Sequence, residues 1–193
     1  MITIGILIFP MVEELDFVGP FEVLSYLNKI RPGSTKVLLI AENKEPIQAF
    51  NGMRVIPDAD LDECPQLDIL VIPGGKGRME AMYNEKIKKF ILKQEPRARY
   101  ITSVCTGAFM LAEAGLLKGK KATTYQGALA ELAGYHEISV EQDKVVADGK
   151  VVTAGGVSSG LELGFYLLKE LFDVPLAQEV ADKIEYRIDV NNI

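Results

Sequence analysis

The strongest constraint on the fold is a series of short apolar runs, each followed by a helical pattern. The runs cover residues 2–9, 36–41, 67–73 and 100–104 and are rich in Ile, Val and Leu. Such nearly continuous runs are typical of strands that are buried on both faces of a parallel sheet. Helices are predicted over residues 21–30, 79–93, 126–132 and 161–171, and from Pro175 to about residue 186.

This alternation predicts an α/β fold, a three-layer sandwich with a mostly parallel sheet between two layers of helices. In such sheets the functional groups lie at the carboxyl ends of the strands. Later in the chain, extended runs at residues 144–147 and 150–154 flank Asp148-Gly149, a pair that strongly indicates a hairpin.

Composition bounds the class of protein. A length of 193 residues, with 48% hydrophobic and 25% charged residues, predicts one globular domain over residues 1–193. The net charge of −6 gives no basic surface for nucleic acid or anionic lipid, and the apolar runs are too short to span a membrane. Residues 2–9 lack a basic leader, so we expect a first strand and a cytoplasmic location.

The cysteine and histidine content excludes several kinds of site. The chain has two cysteines, Cys64 and Cys105, one histidine, His136, and no CxxC motif. Neither a metal site nor a disulfide is predicted from this set.

Cys105 follows a predicted strand and precedes a helical pattern that begins near Phe109 and stops at Gly115. It is therefore expected on a sharp strand-to-helix turn, similar to the nucleophile elbow of hydrolases. The free amides and the dipole of a helix N-terminus favour an anion, so the sequence predicts a thiol that ionises readily. A buried structural cysteine is the alternative.

Three other turns follow predicted strands. Asp16 comes after the first strand, Gly74-Gly75 after the third, and Gly155-Gly156 after the hairpin. In a parallel sheet these turns converge with Cys105 on one edge.

Five motifs together resemble the PfpI and Parkinsonism-associated deglycase superfamily, and within it most closely the isocyanide (isonitrile) hydratase branch. The resemblance extends from residue 2 to about residue 186 and implies a flavodoxin-like, class I glutamine amidotransferase-like fold. The motifs are Leu15-Asp16-Phe17-Val18-Gly19-Pro20, Ile72-Pro73-Gly74-Gly75, Ser103-Val104-Cys105-Thr106-Gly107-Ala108, Gly115-Leu116-Leu117 with Ala122-Thr123-Thr124, and Gly155-Gly156-Val157.

The resemblance implies roles for particular residues. Cys105 matches the nucleophile, and Asp16 matches a carboxylate beside it, a choice that spacing alone leaves open among Asp16, Glu13 and Glu14. The amides of Thr106 and Gly75, with neighbouring Gly74, match the oxyanion-holding groups. The implied pocket residues are Gly155, Gly156, Val157 and Tyr125.

The chain departs from the family pattern at one place. It reads Tyr125-Gln126 where the hydratases usually have His-Trp, and a tyrosine cannot replace imidazole as a base at neutral pH. His136 lies ten residues beyond Gln126, so we expect it in a surface loop. A Cys-His hydrolase mechanism is therefore disfavoured.

The resemblance favours hydration of an isocyanide to an N-substituted formamide, with a small-molecule substrate and no cofactor. The alternatives are another superfamily activity on small electrophiles, such as a glyoxalase, deglycase, amidase or peptidase, and a redox or ligand sensor. A homodimer is implied by the resemblance, whereas nucleic-acid and membrane partners are not expected.

Overall fold

The computed structural model describes residues 1–193. The strands are β1 (Ile2–Leu7), β2 (Thr35–Ala41), β3 (Ile47–Gln48), β4 (Arg54–Val55), β5 (Ala59–Asp60), β6 (Ile69–Ile72), β7 (Tyr100–Val104), β8 (Lys121–Ala122), β9 (Ser139–Val140), β10 (Val145–Asp148) and β11 (Val151–Ala154). The α-helices are α1 (Glu14–Ile30), α2 (Arg78–Ala81), α3 (Glu85–Gln94), α4 (Ala108–Glu113), α5 (Leu129–Leu132), α6 (Ser159–Leu171) and α7 (Val174–Lys183).

Seven strands form the central sheet in the order β10-β11-β7-β6-β1-β2-β5. All neighbouring pairs are parallel except β10 and β11, which form the predicted antiparallel hairpin. The four strands at the centre are almost wholly buried because helices flank the sheet. The predicted mostly parallel α/β sandwich is confirmed.

Helix α1 begins at Glu14, well before the predicted start at residue 21. The prediction was wrong because Pro20 suggested a boundary, whereas it lies inside the helix. Proline has no N–H to donate to the Asp16 carbonyl four residues earlier, so that helical hydrogen bond is missing. Helix α6 packs closely here, since a Cβ on Gly160 would lie 3.0 Å from Pro20 Cδ and 3.5 Å from the Asp16 carbonyl oxygen.

The single helix predicted over residues 79–93 is instead two helices, α2 and α3. Asn84 separates them because its side-chain oxygen accepts hydrogen bonds from the N–H groups of Lys86 at 2.9 Å and Ile87 at 3.4 Å. An asparagine in this role caps the start of a new helix.

The segment between α4 and β9 is less regular than predicted. The strand expected at residues 122–125 is reduced to β8, which pairs with β9 outside the main sheet. The predicted helix at residues 126–132 is a 3₁₀ turn followed by the single turn α5. By contrast, Gly115 has a φ of +76° just beyond α4, as its predicted role at the helix end requires.

The carboxyl ends of β1, β6, β7 and β11 lie side by side in the sheet. The turn after β6 also bonds to the loop after β1 through an isolated bridge between Val12 and Gly75. This edge therefore gathers the turns that the sequence singled out. None of the helices has the length and apolar character needed to cross a membrane.

Asn84→Ala should destabilise the protein by about 1 kcal/mol, because two amides of the first turn of α3 lose their partner. For a chain of this size that loss lowers Tm by about 2–4 °C in thermal denaturation. Lys89→Ala changes an exposed residue of the same helix and should leave Tm nearly unchanged. Equal Tm values for both variants would show that Asn84 does not cap α3.

Candidate active site

Cys105 occupies a strained turn between β7 and α4. Its φ is +54°, a left-handed conformation that is uncommon for a residue with a side chain. Two hydrogen bonds hold this backbone: the Cys105 N–H donates to the Gly155 carbonyl at 2.7 Å, and the Thr124 hydroxyl donates to the Cys105 carbonyl at 2.7 Å. The residue is 6% exposed. The structure thus places Cys105 at an elbow, as the sequence predicted.

Asp16 lies in the first turn of α1 and is fully buried. Its Oδ2 accepts a hydrogen bond from the Gly74 N–H at 2.8 Å, whereas its Oδ1 is buried without a partner. Cys105 lies beside this carboxyl, and each group changes the pKa of the other. Burial raises the pKa of Asp16 and a hydrogen bond from the Cys105 side chain opposes that rise, although no close donor is fixed at Oδ1.

The two neighbouring glutamates point elsewhere. Glu13 and Glu14 accept hydrogen bonds from the Asn51 side-chain amide at 3.2 and 2.7 Å, and Glu14 also accepts from the Asn51 backbone at 2.7 Å. Of the three carboxylates that spacing could not rank, only Asp16 is turned towards the thiol.

Gly74, Gly75 and Thr106 lie together beside the thiol. The Gly74 backbone approaches Thr106 so closely that a Cβ on Gly74 would overlap the Thr106 hydroxyl. The amide and hydroxyl of Thr106 both interact with the Cys105 sulfur. The Gly75 N–H, however, donates to Thr106 Oγ1 at 3.1 Å. It is not a free donor here, so an oxyanion would have to compete with that hydroxyl for it.

Burial is the main cause of the shifted pKa values of Asp16 and Cys105. It raises the pKa of the Asp16 carboxyl from 3.8 to about 7, although the Gly74 N–H opposes the rise. Burial, followed by the Asp16 charge, raises the pKa of the Cys105 thiol to about 12, although the Thr106 amide and hydroxyl act in the opposite direction. Above pH 7 the two groups therefore share one negative charge rather than two.

The predicted easy ionisation of Cys105 is wrong for this structure. That expectation rested on a helix N-terminus, but Cys105 is the first residue of a three-residue 3₁₀ turn, and α4 beyond it has only six residues. The stabilisation of a thiolate by so short a helix is smaller than the free-energy cost of burying a second negative charge next to Asp16. Any reaction at this sulfur would therefore have to remove its proton first or at the same time.

The four residues implied as a pocket divide into two pairs. Gly155 and Gly156 line a cavity of about 270 Å³ next to the elbow. Tyr125 and Val157 do not line it: the Tyr125 ring packs over Gly156 and is 47% exposed, and Val157 is half-buried.

His136 lies in an exposed turn between α5 and β9, as predicted. The chain has no other histidine, so no imidazole stands beside the thiol. No group of three or more His, Cys, Asp or Glu side chains is arranged to hold a metal ion.

Sequence reasoning did not identify Thr124 as a site residue. Its role in the structure is the hydrogen bond that its hydroxyl donates to the Cys105 carbonyl. The residue was visible in the Ala122-Thr123-Thr124 motif, but that motif was interpreted as a strand. No local signal was available, because Thr124 lies 19 positions from Cys105 and meets it only in the folded chain.

The chain matches known proteins along most of its length. The DJ-1/PfpI family matches residues 3–170. An isonitrile hydratase of Pseudomonas putida is 38% identical over 96% of this chain and 78% of the relative. Protein DJ-1 homolog A of Arabidopsis thaliana is 30% identical over 84% of this chain and 42% of the relative.

Solved structures of DJ-1/PfpI proteins also superpose on most of the chain. A THiJ/PfpI family protein from Pseudomonas syringae superposes with a TM-score of 0.89 at 33% identity, covering 97% of this chain and 76% of the other. Drosophila melanogaster DJ-1beta superposes with a TM-score of 0.86 at 26% identity, covering 97% of this chain and 99% of the other. The matched residues include the turns that carry Asp16 and Cys105, and the chain therefore belongs to the DJ-1/PfpI family.

Proposed function

We propose that the protein is an enzyme that hydrates isocyanides to N-substituted formamides, with Cys105 as nucleophile and Asp16 as proton carrier. The observation that carries this proposal is the buried Asp16 and Cys105 pair, which holds one exchangeable proton without a histidine. The 38% identity to an isonitrile hydratase over nearly the whole chain supports it.

Isocyanide chemistry suits such a pair because the terminal carbon is attacked by a nucleophile and also takes up a proton. The ionised Asp16 would accept the thiol proton at its free Oδ1 as the sulfur attacks that carbon. Asp16 would then pass the proton to the same carbon. The product of this step is a thioimidate, R–N=CH–S–Cys105, with an ionised Asp16.

Water completes the reaction. Asp16 would take one proton from a water molecule as its oxygen attacks the thioimidate carbon, and would pass that proton to the nitrogen. Collapse of the tetrahedral intermediate would transfer its hydroxyl proton to Asp16 and expel the sulfur as a thiolate, leaving R–NH–CHO. Asp16 would then return that proton to the thiolate. The sum is one isocyanide plus one water giving one formamide, without any redox change.

Thr106 has two proposed tasks. Its amide and hydroxyl interact with the Cys105 sulfur and lower the pKa of the thiol, so they stabilise sulfur when it carries charge. Its hydroxyl also accepts from the Gly75 N–H, which fixes the hydroxyl between the glycine turn and the sulfur. Stabilising charge that develops on sulfur favours both its attack and its departure.

The sensor alternative is less well supported by the geometry. Redox-sensing cysteines are accessible and have a low pKa, whereas Cys105 is 6% exposed and burial raises its pKa. The other activities on small electrophiles would use the same thiol. The assay below therefore compares turnover of an isocyanide with turnover of methylglyoxal.

Purified protein should convert cyclohexyl isocyanide to N-cyclohexylformamide, measured by chromatography. Cys105→Ala should abolish turnover because the covalent step is lost. Cys64→Ala removes the other thiol, which lies by Gln94 away from the elbow, and should leave turnover within about twofold. Turnover of methylglyoxal but not of the isocyanide would reject the proposed substrate class, and turnover by Cys105→Ala would reject the mechanism.

The value of kcat/KM should rise with pH and reach half its maximum near pH 7. Below that value burial keeps Asp16 protonated, so it cannot accept the thiol proton. A plateau should follow, because the thiol loses its proton only near pH 12. Asp16→Asn should lower kcat/KM by about 10²–10⁴-fold and remove the rise. A pH profile that is unchanged in Asp16→Asn would exclude Asp16 as the proton carrier.

Asp16→Asn should also stabilise the fold at high pH. The folded carboxyl has a pKa of about 7, above its ordinary 3.8, so the folded state binds the proton more tightly and loses stability as pH rises from about 4 to 7. The variant should gain up to roughly 4 kcal/mol over wild type between pH 4 and pH 8 in urea unfolding.

Glu14→Gln is the control for that measurement. Burial raises the pKa of Glu14, but hydrogen bonds from its own backbone N–H and from Asn51 outweigh this and hold the pKa below its ordinary value. The contribution of Glu14 to the free energy of unfolding therefore changes with pH in the opposite direction. A pH-independent difference between Asp16→Asn and wild type would show that the pKa of Asp16 is not raised.

A further inference from the structure

A polar cavity lies beside the Cys105 elbow, and we call it the Ser159 cavity. Its volume is about 270 Å³, and Leu129 is its only hydrophobic lining residue. Its other walls are formed by Gly155 and Gly156 and by the side chains of Thr123, Thr124, Gln126, Gln142, Lys144 and Ser159, with Asp143 at one side.

Two lining residues also hold Cys105 in place. The Gly155 carbonyl accepts from the Cys105 N–H, and the Thr124 hydroxyl donates to the Cys105 carbonyl. The cavity wall is therefore hydrogen-bonded directly to the backbone of the nucleophile. None of the other larger cavities includes Thr124 or Gly155, so this is the one among them that adjoins the elbow.

Two hydroxyls open onto this cavity and bond to no protein group. Ser159 is a buried residue at the start of α6, and its Oγ lies close to Gly155. Thr123 is also buried; its N–H donates to Thr153 Oγ1, whereas its own hydroxyl is left for the cavity. Both hydroxyls can therefore donate to and accept from a polar group that enters the cavity.

The charges around the cavity disfavour an anionic ligand. Asp143 and Lys144 are the only charged lining residues, and their signs are opposite. The Lys144 ammonium is already bonded to Glu162 Oε1 at 2.7 Å. Serine, threonine and glutamine side chains donate and accept equally, which matches an alcohol better than a carboxylate or an amine.

We propose that the Ser159 cavity binds an uncharged hydroxyl group on the substituent of the substrate that Cys105 attacks. This inference rests on the proposed function and narrows it: the preferred isocyanides carry a hydroxyl several bonds from the reacting carbon. Ser159 and Thr123 are the specificity-determining residues, since their free hydroxyls pair with that group.

The test compares two product formamides, N-(trans-4-hydroxycyclohexyl)formamide and N-cyclohexylformamide, by isothermal titration calorimetry. Wild type should bind the hydroxylated formamide about tenfold more tightly, as expected for one added hydrogen bond in a buried site. Ser159→Ala should reduce that preference to twofold or less.

Ser158→Ala is the matched control, because Ser158 is the exposed neighbour at the start of α6 and makes no side-chain cap bond. It should keep the tenfold preference. Thr123→Val provides a second variant of nearly equal shape in case Ser159→Ala fails to fold, and it should also reduce the preference.

The outcomes separate the two proposals, because binding is measured without turnover. Equal affinity for both formamides in wild type, no binding of either, or a preference that survives in both Ser159→Ala and Thr123→Val would overturn the cavity assignment. A preference that these variants remove supports it, even if the protein fails to hydrate isocyanides. That failure would overturn the proposed function alone.

Discussion

The site depends on one backbone constraint, the left-handed conformation of Cys105. A side chain at a φ of +54° is held there only because surrounding groups compensate its cost. The Gly155 carbonyl and the Thr124 hydroxyl supply that compensation from β11 and from the segment after β8. The elbow is thus a product of three distant parts of the chain, and the thiol is presented away from the ordinary direction of a strand.

The second constraint is electrostatic. Asp16 and Cys105 are both buried, and a buried site with few donors does not tolerate two adjacent negative charges. The Gly74 amide stabilises one carboxylate oxygen, while the other is left without a partner. This arrangement keeps a proton on one of the two groups at neutral pH. Once Asp16 ionises, its buried charge lowers the free energy of unfolding, and shifted pKa values of this kind are typical of functional sites.

Much of the fold was predictable because parallel strands and their helices leave strong local patterns. The four strands and the hairpin were predicted near their observed positions, since each is a run of β-branched and apolar residues, but β2 is only partly buried because it lies towards one side of the sheet. The errors lie where local signals conflict with packing. Pro20 suggested a helix boundary, yet α1 continues through it, packs against Gly160 of α6 and carries Asp16 in its first turn.

The sequence by itself determined the sheet, the turn that carries Cys105 and the set of candidate carboxylates, because strand periodicity and turn residues act over a few positions. Only the tertiary structure decided which carboxylate faces the thiol, that the Gly75 amide is engaged by Thr106, and that burial outweighs the helix field at Cys105. Burial and hydrogen-bond partners come from segments far apart in the chain, such as Asp16 and Gly74. No local pattern encodes how such segments meet.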